Sequence, residues 1–520
     1  MSTSTYDELP YLGFPRRHAH PGVIAANARI FGIETADVET ARILELGCGD
    51  GGNILSIAST LPKAKCCGID FSSIQIDKGR SAAAAAGLKN IDLIQSDFTT
   101  AEFPDDEYDY IIAHGVYSWI SSTEQHRMLE VVRSLLSENG VAFISYNCFP
   151  GWNLRKLTRE MMLYETRKLK SPQDKVNLAR EVIPLVMQSV PANLKGYASL
   201  LQGEQSLVNS TGDYYIAHEH LEEDNQPCYF HEFAERLDDH DLQFVCEAEL
   251  SSMYLNRYPA ALDRLQQEDA GSNEARIESE QLLDFAVFRM FRQSLICSKR
   301  HDINTELGTD VVRNLYSSAF GDFQSQPEFT EQPETYHSAK GIGLTTSSPA
   351  AKAALYVLAK NWPNRLLFDE LVEATLELVP GDRDVVEESI AEVLLAAATT
   401  DGVELHAERG NFTTEISEKP VINPLARFQA ETDESVFTLR HINYTVDPFS
   451  RILLCSFDGS RSVEDVVPLI VAAVEDGSLT IAEGMAFPED EAERDAMITD
   501  QIRNGLKNIA DMGLLLKEAP

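Results

Sequence analysis

The stretch Arg42-Ile-Leu-Glu-Leu-Gly-Cys-Gly-Asp-Gly-Gly-Asn53 decides how this chain folds. Its first residues form a short, largely apolar run that is typical of a buried strand, and a helical pattern follows the glycines. Glycine is needed where a backbone must turn sharply and approach a ligand closely. The stretch therefore predicts a strand, a ligand-binding loop and a helix, in that order.

Strand-like and helical stretches alternate on the carboxyl side of this loop. The predicted strands are Ile43–Leu46, Cys66–Ile69, Ile91–Ile94, Tyr110–Ala113 and Val141–Tyr146, and the predicted helices are Asn53–Leu61, Ile74–Leu88 and Glu124–Leu136. This alternation predicts a parallel, doubly wound, Rossmann-like sheet of the α/β class, with ligands at the carboxyl ends of its strands. Further strand-like runs at 243–248 and 294–297, with the helical stretch Glu278–Phe291 between them, indicate that helical insertions interrupt this sheet.

A length of 520 residues predicts about three domains. We expect six segments along the chain. They are an N-terminal lid over residues 1–40, an α/β core over 41–150, a mainly helical insertion that completes the sheet over 151–300, a linker with little core over 301–345, and two small α+β units over 346–430 and 431–520.

The charge balance excludes several classes of partner. With 44 Lys+Arg against 82 Asp+Glu, the formal net charge is −38. A surface this acidic repels phosphate backbones and anionic lipids. No apolar run approaches the ~18 residues that span a bilayer, and the N-terminus lacks a secretory pattern. The eight cysteines form no CxxC pair. We therefore expect a cytoplasmic protein with reduced thiols, no nucleic-acid partner and no membrane insertion.

The glycine loop allows two cofactor classes. Gly47, Gly49 and Gly52 satisfy the dinucleotide pattern GxGxxG, which alone is a weak signal. A dinucleotide would place its anionic pyrophosphate here, where Glu45 and Asp50 would oppose it. S-adenosylmethionine instead brings an ammonium and a sulfonium without phosphate, which favours it over a nicotinamide or flavin nucleotide.

Two further acids follow the next two strands. Asp70 ends the second strand, 23 residues after Gly47, where a carboxylate can accept hydrogen bonds from both ribose hydroxyls. This feature is shared with dinucleotide folds and does not discriminate between the cofactors. Asp97 follows the third strand and can accept from an adenine amino group, while Phe98 flanks the ring.

At these residues the chain resembles class I S-adenosylmethionine-dependent methyltransferases. It is more closely similar to bacterial enzymes with a methyltransferase regulatory domain, including lysine methyltransferases of outer-membrane proteins. The stretches that carry the resemblance are Tyr6–Tyr11 with His20-Pro21, Leu44–Asn53, Ile111–Trp119, Ser145–Asn147 with Pro150-Gly-Trp152, His218–Glu222 with Tyr229–Phe233, and Phe291–Cys297. Ala19 stands where the family pattern has a threonine. The resemblance covers nearly the whole chain, and it implies winged-helix-like tail units and suggests a homodimer.

S-adenosylmethionine is the cofactor that this resemblance implies. The predicted cofactor-binding residues are Glu45, Gly47, Gly49, Asn53, Asp70, Phe71, Gln75, Asp97, Phe98, Ala113 and His114. The predicted catalytic residues are His114, Tyr117, Trp119 and Tyr146, the polar and aromatic groups available beside the sulfonium, and we expect Tyr117 to face the methyl acceptor.

The predicted activity is methylation of lysine side chains on a protein. A free lysine has a pKa of about 10.4, so it must lose a proton before it can attack a methyl group. Aromatic faces can hold its ammonium by cation–π attraction. Two alternatives remain open from the sequence: a methyltransferase acting on a small molecule or a peptide intermediate, and a non-catalytic scaffold that binds the cofactor.

Two other groups of residues are weaker candidates for a functional site. His218, His220, Cys228 and His231 do not have standard zinc spacing, so no metal is predicted. The helix beginning at Asp384 could be read as a DNA-recognition helix, but no Lys or Arg occurs from there to Glu408. Phosphate contacts need cations, so this unit is predicted not to bind nucleic acid.

Overall fold

A seven-stranded mixed sheet organises the N-terminal part of the chain in the computed structural model, which describes residues 13–253, 272–480, 488 and 490–517. Its strands are β1 Arg42–Leu46, β2 Lys65–Asp70, β3 Ile91–Gln95, β4 Tyr108–Ala113, β5 Leu136–Asn147, β6 Leu242–Glu247 and β7 Phe291–Ser298. Their order is β3-β2-β1-β4-β5-β7-β6, and only the β5–β7 and β7–β6 pairs are antiparallel. The predicted α/β fold and the late return of two strands to the sheet are confirmed.

The sheet is buried on both faces because its central strands are apolar at successive positions. In β1, Ile43 packs into one core and Leu44 and Leu46 into the other. Successive side chains of a strand point to opposite faces, so one short run supplies both layers. This arrangement places the carboxyl ends of β1, β2 and β3 together at one edge.

Helices cover this sheet and extend from it. They are α1 Pro21–Ile30, α2 Gly52–Thr60, α3 Ser73–Ala85, α4 Ser122–Leu135, α5 Trp152–Thr166, α6 Pro172–Met187, α7 Lys195–Ser210, α8 Asp213–His220, α9 Phe230–Asp239 and α10 Asn273–Val287. Helices α5 to α8 form a separate small core around residues such as Met162, Val176, Leu201 and Ile216. The predicted helical insertion is therefore present.

The segment 301–345, expected to be a linker, is an integral part of the next unit. It contains β8 Tyr316–Ser318, β9 Gly321–Phe323, β10 Glu334–Ser338 and β11 Gly343–Thr346. Leu315, Phe323 and Tyr336 are buried in the main core. The expectation failed because these strands are short and polar, and they obtain their partners from distant residues.

The first tail unit is completed by residues beyond this segment. It contains α11 Pro349–Asn361, β12 Leu366–Leu367, α12 Phe368–Leu378, α13 Arg383–Ala398 and β13 Glu404–His406. Strands β12 and β13 both pair with β8, not with each other. Helix α13, the candidate recognition helix, buries Val386, Ile390 and Leu394 in the core.

The second tail unit consists of α14 Pro424–Thr432, β14 Ser435–Phe437, β15 Asn443–Thr445, α15 Pro448–Ser456, α16 Val463–Glu475 and α17 Glu491–Asp511. Its core includes Leu454, Ile470 and Ile502. The antiparallel hairpin of β14 and β15 is the wing of this unit.

Two chain-wide features concern the thiols and the helices. No cysteine forms a disulfide, and seven of the eight are buried. Among the described residues, no helix combines the length and apolar character needed to cross a membrane.

Candidate active site

The glycine loop has the conformation that its sequence requires. Gly47, Gly49 and Gly51 have φ values of +69°, +56° and +81°, which L side chains rarely adopt. The amides of Gly47 and Cys48 both donate to the carbonyl of Ile69, at 2.8 and 3.0 Å. The loop is thereby tied to the carboxyl end of β2 before α2 begins.

Two of the glycines have distinct steric roles. A Cβ on Gly52 would collide with the backbone of Gly13, because the N-terminal segment crosses the start of α2 there. A Cβ on Gly49 would meet nothing within 4 Å. Gly52 therefore admits a neighbouring segment of the chain, while Gly49 leaves open space for a ligand.

A cavity of about 990 Å³ opens beside this loop. Ten of the eleven predicted cofactor-binding residues line it: Glu45, Gly47, Gly49, Asn53, Asp70, Phe71, Gln75, Asp97, Phe98 and His114. Ala113 is fully buried next to them, outside the lining. Residues 13–18 form another part of the wall; the predicted lid residues 1–12 lie outside the described part of the chain.

Glu45 provides the clearest test of what this cavity can bind. Its side chain is buried, and its Oε1 accepts a hydrogen bond of 3.0 Å from the amide of Asn53. Its Oε2 has no hydrogen-bond partner among the described residues. Burial raises the pKa of this carboxyl to about 8. A buried carboxyl with an unused oxygen fits a cationic ligand group and would oppose a pyrophosphate.

Asp70 and Asp97 also fit the predicted cofactor. The two Asp70 oxygens accept from the amides of Gly49 and Ser72, each at 2.9 Å. These bonds fix the carboxylate and leave lone pairs for ribose hydroxyls. Burial raises the Asp70 pKa. Asp97 is exposed, and Thr99 anchors its Oδ1 through both its amide and its hydroxyl, at 2.8 and 2.7 Å.

A second group of lining residues, described below as the other half of the cavity, is aromatic and acidic. Trp119 and Trp152 meet edge to face, with ring centroids 6.3 Å apart. Tyr215, Glu219 and Asp224, from α8 and the loop after it, line the same space. Burial raises the pKa of Glu219 to about 7. Because aromatic faces and carboxylates both attract cations, this half fits a positively charged group.

Cations from two segments lie against this wall. The Arg155 guanidinium donates to the Tyr215 hydroxyl at 3.0 Å and forms a 3.0 Å ion pair with Glu204. Arg16 lines the cavity from the N-terminal segment. These contacts fix the aromatic wall and add a cation near the glycine loop.

Two tyrosines predicted to be catalytic, Tyr117 and Tyr146, lie buried in the core, outside the cavity lining. The Tyr117 hydroxyl lies 3.4 Å from an Arg236 nitrogen, and that of Tyr146 lies 3.2 Å from the Ser294 hydroxyl. Both rings pack on Phe233. Their positions do not support a direct contact with a methyl acceptor.

A short helical turn explains this difference. Residues Tyr117–Trp119 form a single 3-10 turn after β4. Tyr117 belongs to the buried core on one side of this turn, whereas Trp119 lines the cavity. Sequence alone could not distinguish the orientation of two aromatic residues so close together.

His114 lines the cavity as an uncharged group. Its ring stacks on Phe143, with centroids 6.1 Å apart, and Phe291 approaches it edge-on at the same separation. Burial, followed by the nearby charge of Arg16, lowers its pKa to about 3. The imidazole is therefore neutral at physiological pH.

The histidines considered as metal ligands have separate surroundings. His218 lies 3.8 Å from Glu222, His220 lies 3.8 Å from Glu204, and His231 lies 2.9 Å from the Gln281 side chain. Within the described ranges, no group of three or more His, Cys, Asp or Glu residues is arranged to hold a metal ion.

Sequence reasoning missed the acidic residues of this aromatic and acidic part of the cavity lining. Glu219 lies within the His218–Glu222 stretch, which carries only family resemblance in the sequence, and Asp224 follows it. Their relevance depends on α8 lining the same cavity as the glycine loop, which the sequence does not indicate. The only sequence signal for Glu219 was its position between His218 and His220, in a stretch that carries the family resemblance.

Three family models match successive parts of the chain. A methyltransferase domain matches residues 37–212, a predicted methyltransferase regulatory domain matches 212–298, and the PKMT C-terminal winged helix domain matches 418–514. These matches confirm the resemblance inferred from the sequence motifs.

Two relatives and one solved structure are also similar to this chain. The uncharacterized protein RP789 of Rickettsia prowazekii is 30% identical over 518 residues, covering 97% of this chain and 93% of that protein. The uncharacterized protein RP028 of the same organism is 38% identical over 232 residues, covering 45% of this chain and 93% of that protein. The structure of PKMT2 from Rickettsia typhi in complex with AdoHcy has a TM-score of 0.85 at 26% identity, covering 97% of this chain and 100% of that chain.

Proposed function

The chain belongs to the S-adenosylmethionine-dependent methyltransferases that carry a methyltransferase regulatory domain, and from this premise we propose that it methylates lysine side chains of a protein. The observation that carries the proposal is the composition of the cavity. Its cofactor half continues directly into a half lined by Trp119, Tyr215, Glu219 and Asp224. Aromatic rings and carboxylates together suit a lysine ammonium, and each cation–π contact contributes roughly 0.5–2 kcal/mol. The likeness to PKMT2 supports the same substrate class.

In this proposal, three carboxylates would hold the cofactor. Glu45 would hold the amino group of its methionine portion, and Arg16 would pair with the carboxylate of that portion. Asp70 would accept from the ribose hydroxyls and Asp97 from the adenine amino group. When bound, S-adenosylmethionine supplies an electrophilic methyl group on a cationic sulfur. The protein's own contribution is to orient the acceptor and to exclude water.

Glu219 is the proposed proton acceptor. An amine attacks only when neutral, and a lysine ammonium with a pKa of about 10.4 keeps its proton at neutral pH. The Glu219 carboxyl has a pKa of about 7, which is well placed for a general base at that pH. Its carboxylate takes one ammonium proton as the side chain leaves water, and the wall of Trp119 and Trp152 limits solvent access. His114 remains neutral throughout and packs against the reacting region.

Labelled-methyl transfer tests the proposal. The full chain is incubated with methyl-labelled S-adenosylmethionine and a bacterial lysate that has been split into protein and small-molecule fractions. A parallel protein fraction has its lysines acetylated beforehand. We expect label in the untreated protein fraction and loss of label after acetylation. Label confined to the small-molecule fraction would overturn the proposed acceptor class and favour a small-molecule methyltransferase, and absence of label in both fractions would favour a scaffold.

A further inference from the structure

The wing of the C-terminal unit is buried against the cofactor-binding domain. Its turn contains Thr438, Arg440 and His441, which are exposed by only 2%, 7% and 2%. His441 has a φ of +58°, a left-handed conformation that is uncommon outside glycine. Such a conformation persists only where its surroundings hold it in place. A buried polar turn with this backbone indicates a specific contact at its tip.

That contact is made with the helix that follows the glycine loop. His441 Nε2 lies 2.8 Å from Asn53 Oδ1, and His441 Nδ1 lies 2.8 Å from the Ser56 hydroxyl. Both partners belong to α2. The Asn53 amide nitrogen in turn donates to Glu45 Oε1 at 3.0 Å. A side chain of the last domain thus reaches the buried carboxyl of the cofactor half through one intermediate residue.

The hydrogen-bonding groups of Asn53 determine which atoms donate and which accept along this series of contacts. Asn53 uses its amide nitrogen toward Glu45, so its oxygen faces His441, and the Arg16 amide also donates to that oxygen at 2.9 Å. The Asn53 oxygen can only accept, so its 2.8 Å contact requires the His441 proton on Nε2. The Arg16 amide, which also lies 3.2 Å from Nε2, then directs its hydrogen to the Asn53 oxygen, and Nδ1 accepts from the Ser56 hydroxyl. Burial, together with the neighbouring His20, lowers the pKa of His441, which keeps the ring in this neutral form.

We propose that His441 is a positioning residue for the cofactor: it fixes the Asn53 side chain so that Glu45 is held toward the cofactor's amino group. The inference rests on the proposed role of Glu45 and adds a role for the winged-helix tail. The tail serves here as a structural part of the methyltransferase site. A second contact of the wing supports this docking, since the rings of His20 and His441 lie 5.1 Å apart, and Arg440 pairs with Glu404 of the first tail unit at 3.0 Å.

A pair of amide substitutions tests the proposal on the full chain. His441→Asn replaces the Nδ1 side of the ring and adopts the left-handed backbone readily, but its amide is too short to reach Asn53. His441→Gln places an amide nitrogen where Nε2 lies and can donate to Asn53. Binding is measured by calorimetry with two ligands, S-adenosylhomocysteine and 5′-methylthioadenosine. The second ligand has the nucleoside but lacks the amino-acid portion.

The expected result is a ligand-specific loss. His441→Asn weakens S-adenosylhomocysteine binding about tenfold, the effect of one buried hydrogen bond, and leaves 5′-methylthioadenosine within about twofold. His441→Gln recovers most of the lost affinity. Wild-type affinity of His441→Asn for S-adenosylhomocysteine would overturn the proposal. Equal weakening of both ligands would also overturn it, because that outcome indicates general damage to the domain.

A third variant separates this inference from the proposed function. Glu45→Gln is expected to weaken S-adenosylhomocysteine and to spare 5′-methylthioadenosine, as His441→Asn does. If Glu45→Gln bound both ligands like the wild type, the assigned role of Glu45 would fail, and with it the basis of the inference. If Glu45→Gln showed the selective loss and His441→Asn did not, only the role of the wing would fail. Melting temperatures of all variants report whether each one folds.

Discussion

The two halves of the cavity differ in how the chain builds them. The cofactor half comes from the ends of three adjacent strands and contains Glu45, Asp70 and Asp97, with Gly47 and Gly49 between the first two. The acceptor half combines the turn after β4 with α5, α8 and the loop after α8. The first half depends on short-range sequence order and the second on how an insertion folds back. A local sequence motif therefore indicates the cofactor class, whereas the acceptor class depends on tertiary structure.

The largest expected effect falls in the acceptor half. Glu219→Gln removes the proposed proton acceptor and should lower methyl transfer at pH 7 about 10²–10⁴-fold. Calorimetry should show S-adenosylhomocysteine affinity within about twofold of the wild type, because the cofactor half is unchanged. Glu223→Gln, a neighbouring exposed carboxylate, is the matched control and should retain full activity. Equal rates for the two variants would remove Glu219 from the mechanism.

The next largest effect falls in the cofactor half. Asp70→Asn keeps the shape of the side chain but loses the charge that accepts the ribose hydroxyls. Hydrogen bonds to charged groups contribute about 1.5–3 kcal/mol, so affinity should fall roughly 10–100-fold for S-adenosylhomocysteine and for 5′-methylthioadenosine alike. Asp92→Asn, an exposed position on β3, serves as the control. A selective loss of only one ligand would contradict the assignment to ribose.

The pH dependence of methyl transfer tests whether Glu219, in the acceptor half of the cavity, is the base. Glu219 accepts a proton only when ionised, and its pKa is about 7. The rate at saturating cofactor should therefore rise with pH through about 7 and level off above it. In Glu219→Gln this rise should disappear, leaving a slower rate without that inflection. A wild-type rate that stays flat from pH 6 to pH 8 would be incompatible with this base.

Cofactor binding should also release a proton from Glu45. The pKa of this carboxyl is about 8, so it is mainly protonated at pH 7 before binding. A cationic amino group favours the ionised carboxylate, so its pKa falls and the proton leaves. Calorimetry at pH 7 in two buffers with different ionisation enthalpies should detect release of up to about one proton, absent in Glu45→Gln. The same apparent enthalpy in both buffers for the wild type would count against this linkage.

The smallest expected effect concerns Tyr117. Its hydroxyl is buried beside Arg236 and lies away from the cavity lining. Tyr117→Phe should leave turnover within about twofold and reduce the free energy of unfolding by about 0.5–1.5 kcal/mol. Denaturant titration together with a methyl-transfer assay measures both quantities. A large loss of turnover with unchanged stability would restore the catalytic role that the sequence predicted.

Local patterns predicted the sheet and most of the cofactor half for a physical reason. Strands buried on both faces are continuous apolar runs, and a tight loop that approaches a ligand requires glycine at fixed spacing. The strands at 316–318 and 404–406 lack such a signal because they are three residues long and depend on pairing between distant segments. Sequence patterns therefore do not predict these two strands, and they indicate a linker over residues 301–345, which include the strand at 316–318.

The wing contact shows the limit of sequence reasoning most clearly. His441 and Asn53 are 388 positions apart, and nothing in the spacing of either residue indicates the other. Tyr117 illustrates the converse case, since a local motif predicts a catalytic group where the backbone turns the side chain into the core. Both outcomes depend on packing between elements, which periodicity does not encode.

Identification of the methylated residue distinguishes lysine methylation from every other protein methylation. Protein labelled by the full chain and S-adenosylmethionine is hydrolysed completely, and the labelled amino acid is identified by chromatography against methylated standards. We expect the label to be recovered as methylated lysine and Glu219→Gln to remove nearly all of it. Recovery of the label on a different amino acid, with no methylated lysine, would refute the proposed lysine methylation.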